Sequence, residues 1–226
     1  MLKRLTILAL AILFVQLSFA QTERPDFKKI EKEIKDKNSP FFYETLMKRY
    51  NENDTTLSKE QYRYLYYGYS FQKTYSAYGK PTVNDDLKKA REAGDYDEVI
   101  ELEKKALSQY PFNLRNLYRL SNGLNKKGDT LQADIYDKKL VGIAKAIFST
   151  GDGASDSTAM YVISVEHEYD LIFLMGYEFA GNQSLVQGKY GPMDKMKLKK
   201  NEENLENLYF DVSILFKSMD NMFKKN

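Results

Sequence analysis

From Asp26 to about Phe148 apolar residues recur at helical spacing, and after a polar break some recur in alternation. Phe27, Ile30 and Ile34 fall on one face of a predicted helix over Asp26–Lys37, with lysines and glutamates elsewhere. Ser39-Pro40 predicts the next start, serine as cap and proline in the first turn. That helix runs to about Asn51, with Phe41, Phe42, Leu46 and Tyr50 apolar. Asn51 to Thr56 is a polar loop. Ser58 with Gln61 three residues on forms a capping box and opens a helix reaching about Tyr75. Its apolar residues make two stripes. Tyr62, Leu65, Tyr66 and Tyr69 form one; Tyr64, Tyr67, Phe71, Tyr75 and Tyr78 form the other. A helix apolar on two faces is either central or offers one face to a partner. Packing is the plainer reading, since a buried tyrosine ring can keep its hydroxyl wet. The sharper one is an aromatic groove on Tyr64, Tyr67, Phe71 and Tyr75.

Leu87 to Leu140 organises the rest. Gly94-Asp95 recurs as Gly128-Asp129 at a distance of 34 residues, the period of tetratricopeptide repeats. Glycine there predicts tight turns, because it tolerates the left-handed conformation that ends a helix. Tyr96 to Gln109 reads as a helix with Val99, Ile100, Leu102, Ala106 and Leu107 apolar, and Pro111 closes the first unit. Leu117, Leu120 and Leu124 supply the large positions of the second, and Ala133 the small one. Glu103 and Asp137 depart from the pattern, standing where a large aromatic is expected, and Lys145 replaces the closing proline.

Ser149 to Ser157 is a junction of small and acidic residues. Beyond it, Thr158–Val165 is β-rich, Glu168–Tyr177 reads as a short helix, and Gln183–Val186, Met193–Leu198 and Leu208–Ile214 read as strands. Phe216–Lys225 reads as a closing helix. Helices first and a sheet second is α+β ordering. The expected fold is tetratricopeptide-like helical hairpins followed by a small β-sheet with flanking helices. The expected boundaries are 1–20, 21–150 and 151–226.

The first twenty residues read as an export signal: Lys3 and Arg4, an apolar run from Leu5 to Val15, then Ser18-Phe19-Ala20 before Gln21. The apolar run is too short to span a bilayer well, so no transmembrane segment is expected in the mature chain. Removing Lys3 and Arg4 from 34 basic residues leaves 32 against 32 acidic. A formally neutral chain argues against a general nucleic-acid binder. Cysteine is absent, which excludes disulfides and thiolate sites. The expected address is the periplasm or cell exterior of a Gram-negative bacterium.

Tyr62-Arg63-Tyr64-Leu65-Tyr66-Tyr67-Gly68-Tyr69, Ser149 through Ser155, Val162 through Tyr169, and Leu208-Tyr209-Phe210-Asp211-Val212 span most of the mature chain. On these stretches the chain resembles an uncharacterised domain-of-unknown-function family of secreted Bacteroidetes proteins. The resemblance implies export and the domain layout above, and names no reaction.

No motif carries an identifiable chemistry. His167 is the only histidine and stands among Glu166, Glu168 and Asp170. One histidine without cysteine cannot build a histidine-rich zinc site. Asp152, Ser155 and Asp156 offer oxygen ligands but lack the spacing of a calcium loop. No cofactor is predicted. Lys195, Lys197, Lys199 and Lys200 face Glu202, Glu203 and Glu206 closely in sequence, the pattern of a solvated face. The leading expectation is an exported, non-enzymatic binding or scaffolding protein whose helical repeats hold a peptide, protein or glycan. A hydrolase or metal-dependent enzyme near Asp152 and His167, and an envelope assembly factor, remain as alternatives. The sequence names neither partner nor oligomeric state.

Overall fold

The computed structural model describes residues 23–217. The predicted export signal and most of the predicted closing helix therefore lie outside the described residues. Among the described residues, seven α-helices precede residue 150: α1 (Phe27–Lys35), α2 (Tyr43–Asn51), α3 (Lys59–Tyr69), α4 (Asn84–Ala93), α5 (Tyr96–Gln109), α6 (Leu114–Lys127) and α7 (Thr130–Phe148). Strand β1 (Met160–Tyr161), helix α8 (Val165–Leu174) and strands β2 (Phe179–Gly188), β3 (Gly191–Leu198) and β4 (Asn207–Asp211) follow. The fold is α+β, as the order of elements predicts. The chain divides into a helical unit, Lys28–Lys73 with Tyr78–Ala146, and a mixed unit built from 23–27, Thr74–Ala77 and 147–217.

In the helical unit the two Gly-Asp turns are built alike. Gly94 and Gly128 sit at φ 71° and 84° and end α4 and α6. The amide of Asp95 reaches the Ala90 carbonyl and that of Asp129 the Leu124 carbonyl, each at 3.0 Å. Both aspartates then cap the next helix, accepting from Glu98 N and Gln132 N. Each turn thus satisfies a helix end and a helix start within three residues. Val83, Leu87 and Ala90 pack on Val99, Leu102 and Ala106. Ile100, Leu120, Leu124 and Ala133 form the next layer, with Leu107 and Tyr136 against it. The acids that depart from the apolar pattern are drawn inward too. Glu103 is fully buried beside Arg91, at 3.4 Å, and Asp137 is half-buried with a hydrogen bond to Ser121.

Phe112 follows Pro111 between α5 and α6 and is buried among Tyr50, Tyr66 and Tyr69, whose rings meet it edge-on. The Tyr50 hydroxyl donates to the Pro111 carbonyl at 2.9 Å. So the tyrosines bury ring area while their oxygens find partners.

Several predicted boundaries move. Helix α3 stops at Tyr69, not near Tyr75. Ser70 Oγ donates to the Tyr67 carbonyl and Gln72 Nε2 to the Gly68 carbonyl; the amides of Ser70, Phe71 and Gln72 each bond three residues back. That tightened last turn ends the helix. Ser39 does not cap α2. Its Oγ accepts from Phe41 N in a separate turn, and the helix begins at Tyr43. Strand β1 is only two residues long, and α8 starts at Val165, earlier than expected.

In the mixed unit the sheet runs β1-β4-β3-β2. Strands β1 and β4 are parallel; β3 is antiparallel to both its neighbours. Strand β4 stops at Asp211, short of the predicted Ile214, and helical backbone begins at Ser213. The segment 74–77 belongs here: Tyr75 Oη donates to the Ile163 carbonyl at 2.7 Å, and Val165 N to the Ala77 carbonyl. Arg24 donates to Asp211 Oδ2 and Tyr161 Oη, both at 2.9 Å. Its guanidinium also lies over the Tyr161 and Tyr190 rings.

Candidate functional site

Helix α8 carries Leu171, Ile172 and Leu174 inward. Glu168 precedes Leu171 by three residues and Ile172 by four, so it shares their face. It is 0% exposed. On β3, Asp194, Met196 and Leu198 share a face by the two-residue period, and Met196 and Leu198 are buried. The two elements bring Glu168 and Asp194 together as a carboxyl pair.

With both groups ionised, neither Glu168 oxygen has a donor. A proton held between them makes the bond, with Glu168 donating to Asp194. Burial, and then the neighbouring Asp194 charge, push Glu168 up to about 9. Burial raises Asp194 as well, against the hydrogen bonds it accepts from Gln183 and Glu168. Glu168 is therefore a neutral acid at pH 7. The pair continues outward: Gln183 Nε2 donates to Asp194 Oδ2 and Tyr169 Oη donates to Gln183 Oε1, each at 2.7 Å. The Tyr169 ring rests edge-on against Phe179. The result is a hydrogen-bonded line from a buried acid to an exposed amide. It keeps a proton out of water behind an amide and a hydroxyl.

The other sequence candidates fall as follows. Tyr64 and Tyr67 are buried; Phe41 stacks on Tyr64 at 3.9 Å and Tyr66 meets Tyr67 edge-on. Both rings are core, which removes half of the predicted aromatic groove. Phe71 and Tyr75 are half-buried and lie beyond the end of α3. Asp152 is exposed and its Oδ1 accepts from Ala154 N, an ordinary turn bond. His167 is buried in the first turn of α8. Among the described residues no three histidine, aspartate or glutamate side chains are grouped to hold a metal ion.

The sequence places Glu168 beside His167 and puts Gln183 and Asp194 on two predicted strands, without pairing any of them. The signal was present in the spacing, since each acid lies on the apolar face of its own element. Their meeting depends on how α8 lies against the sheet, which no local pattern encodes.

The helical unit buries a lysine. Lys139 on α7 is buried, donates to Asn53 Oδ1 at 2.6 Å, and lies over the rings of Tyr50 and Tyr136. Desolvation lowers it to about 8. Asn53 holds a left-handed backbone, φ 62°.

No curated protein and no solved structure matches the chain. The model of one family, the domain of unknown function DUF4919, matches residues 28–221. Most of the chain, both units included, lies within that match, and the chain belongs to the DUF4919 family.

Proposed function

We propose that this protein is exported to the periplasm or exterior of a Gram-negative bacterium and works there as a binding or scaffolding protein. Its tetratricopeptide-like helices α4 to α7 would hold a peptide, protein or glycan. The observation that carries the reading is the repetition of one Gly-Asp turn, with the same hydrogen bonds, 34 residues apart. Stacked units of that period leave apolar surface at their ends and concave faces for partners. Lys127, beside one turn, pairs with Asp97, beside the other, at 2.8 Å. Near these turns Tyr96 and Leu131 stand 42% and 82% exposed. Apolar side chains exposed beside hydrogen-bonded turns are features a partner would use.

The hydrolase reading drew on Asp152 and His167, which serve here as a turn and a buried helical residue, so it receives no support from them. The test of the binding reading is capture from the native envelope by the wild-type chain and by the double variant Tyr96→Ala, Leu131→Ala. A captured component is then rebound as a purified molecule. The expected result is specific binding that the variant loses at unchanged melting temperature. Equal capture by both chains would refute this surface, and a mature chain that keeps Met1 to Ala20 would refute export.

A further inference from the structure

Strand β2 is an outer strand of its sheet, and most of it is exposed. An edge strand presents unpaired amides and carbonyls, which proteins ordinarily protect with charge, proline or a bulge. The chain is 29% charged, yet β2 carries no charged residue and no proline along its length. Its irregularity lies between Phe179 and Gln183; from Gln183 to Gly188 the ladder to β3 is continuous.

The register shows which groups face outward. Gln187 stands opposite Pro192. Pro192 has no N–H, and its carbonyl accepts from Val212 N at 3.2 Å on the opposite side. The Gln187–Pro192 pair is therefore a non-hydrogen-bonded one, and Gln187 turns both its backbone groups away from β3. The two-residue period gives Leu185 and Gln183 the same orientation. Among the described residues no backbone hydrogen bond reaches these outward groups.

The residues around them read nearly the same in either direction: Gln183-Ser184-Leu185-Val186-Gln187, with Leu185 at the centre. Leu185 is 57% exposed. An antiparallel copy of this strand, related by a twofold axis through Leu185, places Leu185 opposite itself and Gln183 opposite Gln187. All three are outward-facing, so their amides and carbonyls pair completely. No like charges meet, and the central side chain covers its own copy. We propose that the β2 edge is occupied by β2 of a second copy of this chain. Two four-stranded sheets then continue into one across a self-complementary interface.

The test is sedimentation of the purified chain over a range of concentrations, with two variants. The wild type is expected to form a dimer. Leu185→Lys sets like charges opposite each other at the axis and is expected to leave a monomer with unchanged circular dichroism, because Leu185 makes no ladder bond to β3. The chain has no cysteine, so Leu185→Cys provides a second reading. Hydrogen-bonded antiparallel partners lie about 5.5 Å apart at Cα, within reach of a disulfide. Mild oxidation is expected to link two copies through position 185, while Lys126→Cys on the helical unit stays unlinked. A wild type that is monomeric at its highest soluble concentration overturns the proposal. That is also the result if the edge takes a strand from a different protein. A dimer that neither dissociates with Leu185→Lys nor links through Leu185→Cys overturns it as well.

Discussion

Glu168 on α8 and Asp194 on β3 form a carboxyl pair that holds a proton at neutral pH, with Glu168 fully buried and Asp194 half-buried. The folded state binds that proton far more tightly than the unfolded chain, where the glutamate returns to its ordinary 4.5. The contribution to stability is whole below about 4.5 and is lost as pH rises toward about 9. Glu168→Gln keeps a donor toward Asp194 and removes the titration. It should flatten the stability profile from pH 5 to 9 and gain about 1–3 kcal/mol at the alkaline end. Thermal melts of both chains across that range test it, and parallel profiles would show that the pair does not share a proton.

Lys139 has the opposite sign. Burial lowers it from 10.5 to about 8, so the unfolded chain holds this proton more tightly. Stability from this group rises as pH climbs from about 8 toward 10.5. Lys139→Met keeps the apolar stem and removes the buried charge. The variant should be more stable at pH 7 by about 1–3 kcal/mol, with the advantage shrinking in alkali. Urea unfolding at pH 7 and pH 10 measures both. A loss of stability at pH 7 would mean that Asn53 and the rings of Tyr50 and Tyr136 more than offset desolvation.

Local signals were the legible ones. Gly94 and Gly128 end helices because a left-handed residue is needed at each spot, and the aspartate after each glycine starts the next helix. Those requirements lie within a few residues. The aromatic run passes Tyr69 and so predicts a longer α3, whereas the Ser70 and Gln72 side chains end it by bonding the last carbonyls. Phe179 to Asn182 shows no alternation, so the pattern predicts only four residues of β2; its full length comes from pairing with β3. Arg24 drew no attention in a polar leader, yet it bonds Asp211, 187 residues away. The site at Glu168 has the same character: each acid was visible on an apolar face, and the pair was not.

Two glycines should respond to alanine for different reasons. A Cβ on Gly142 would meet ring atoms of Tyr62 at 2.5 to 2.6 Å. Gly142→Ala should cost about 1–3 kcal/mol through overpacking, despite alanine's better helix propensity. Adding Tyr62→Ala should remove that penalty, a coupling that a double-mutant cycle reads directly. Gly94 has open space around it and φ +71°. Gly94→Ala should cost about 1–2 kcal/mol through backbone strain alone, with no coupling to any neighbour. Equal coupling to Tyr62 in both variants would contradict this division.

Glu103 tests the departure from the repeat pattern. It is fully buried where the repeat pattern expects a large aromatic, one oxygen bonds Arg91 at a long 3.4 Å, and the other has no partner. Burial raises it to about 7, with Arg119 and Arg91 pulling back. The folded value again exceeds the ordinary 4.5, so its contribution is whole below about 4.5 and is lost as pH rises through about 7. Replacing a buried ion by an apolar residue of similar volume is often neutral or stabilising, and Arg91, a third exposed, can turn its charge to water. Glu103→Leu should therefore stabilise the chain at pH 8 by about 1 kcal/mol and by less at pH 5, where the wild-type carboxyl is already neutral. Arg91→Ala should destabilise at pH 8 by about 1–2 kcal/mol, since it leaves the carboxylate with less compensation. Urea unfolding at the two pH values separates the cases. If Glu103→Leu is destabilising at pH 8 while Arg91→Ala is neutral, the carboxylate is held by more than Arg91, and the acid is part of what joins α5 to its neighbours.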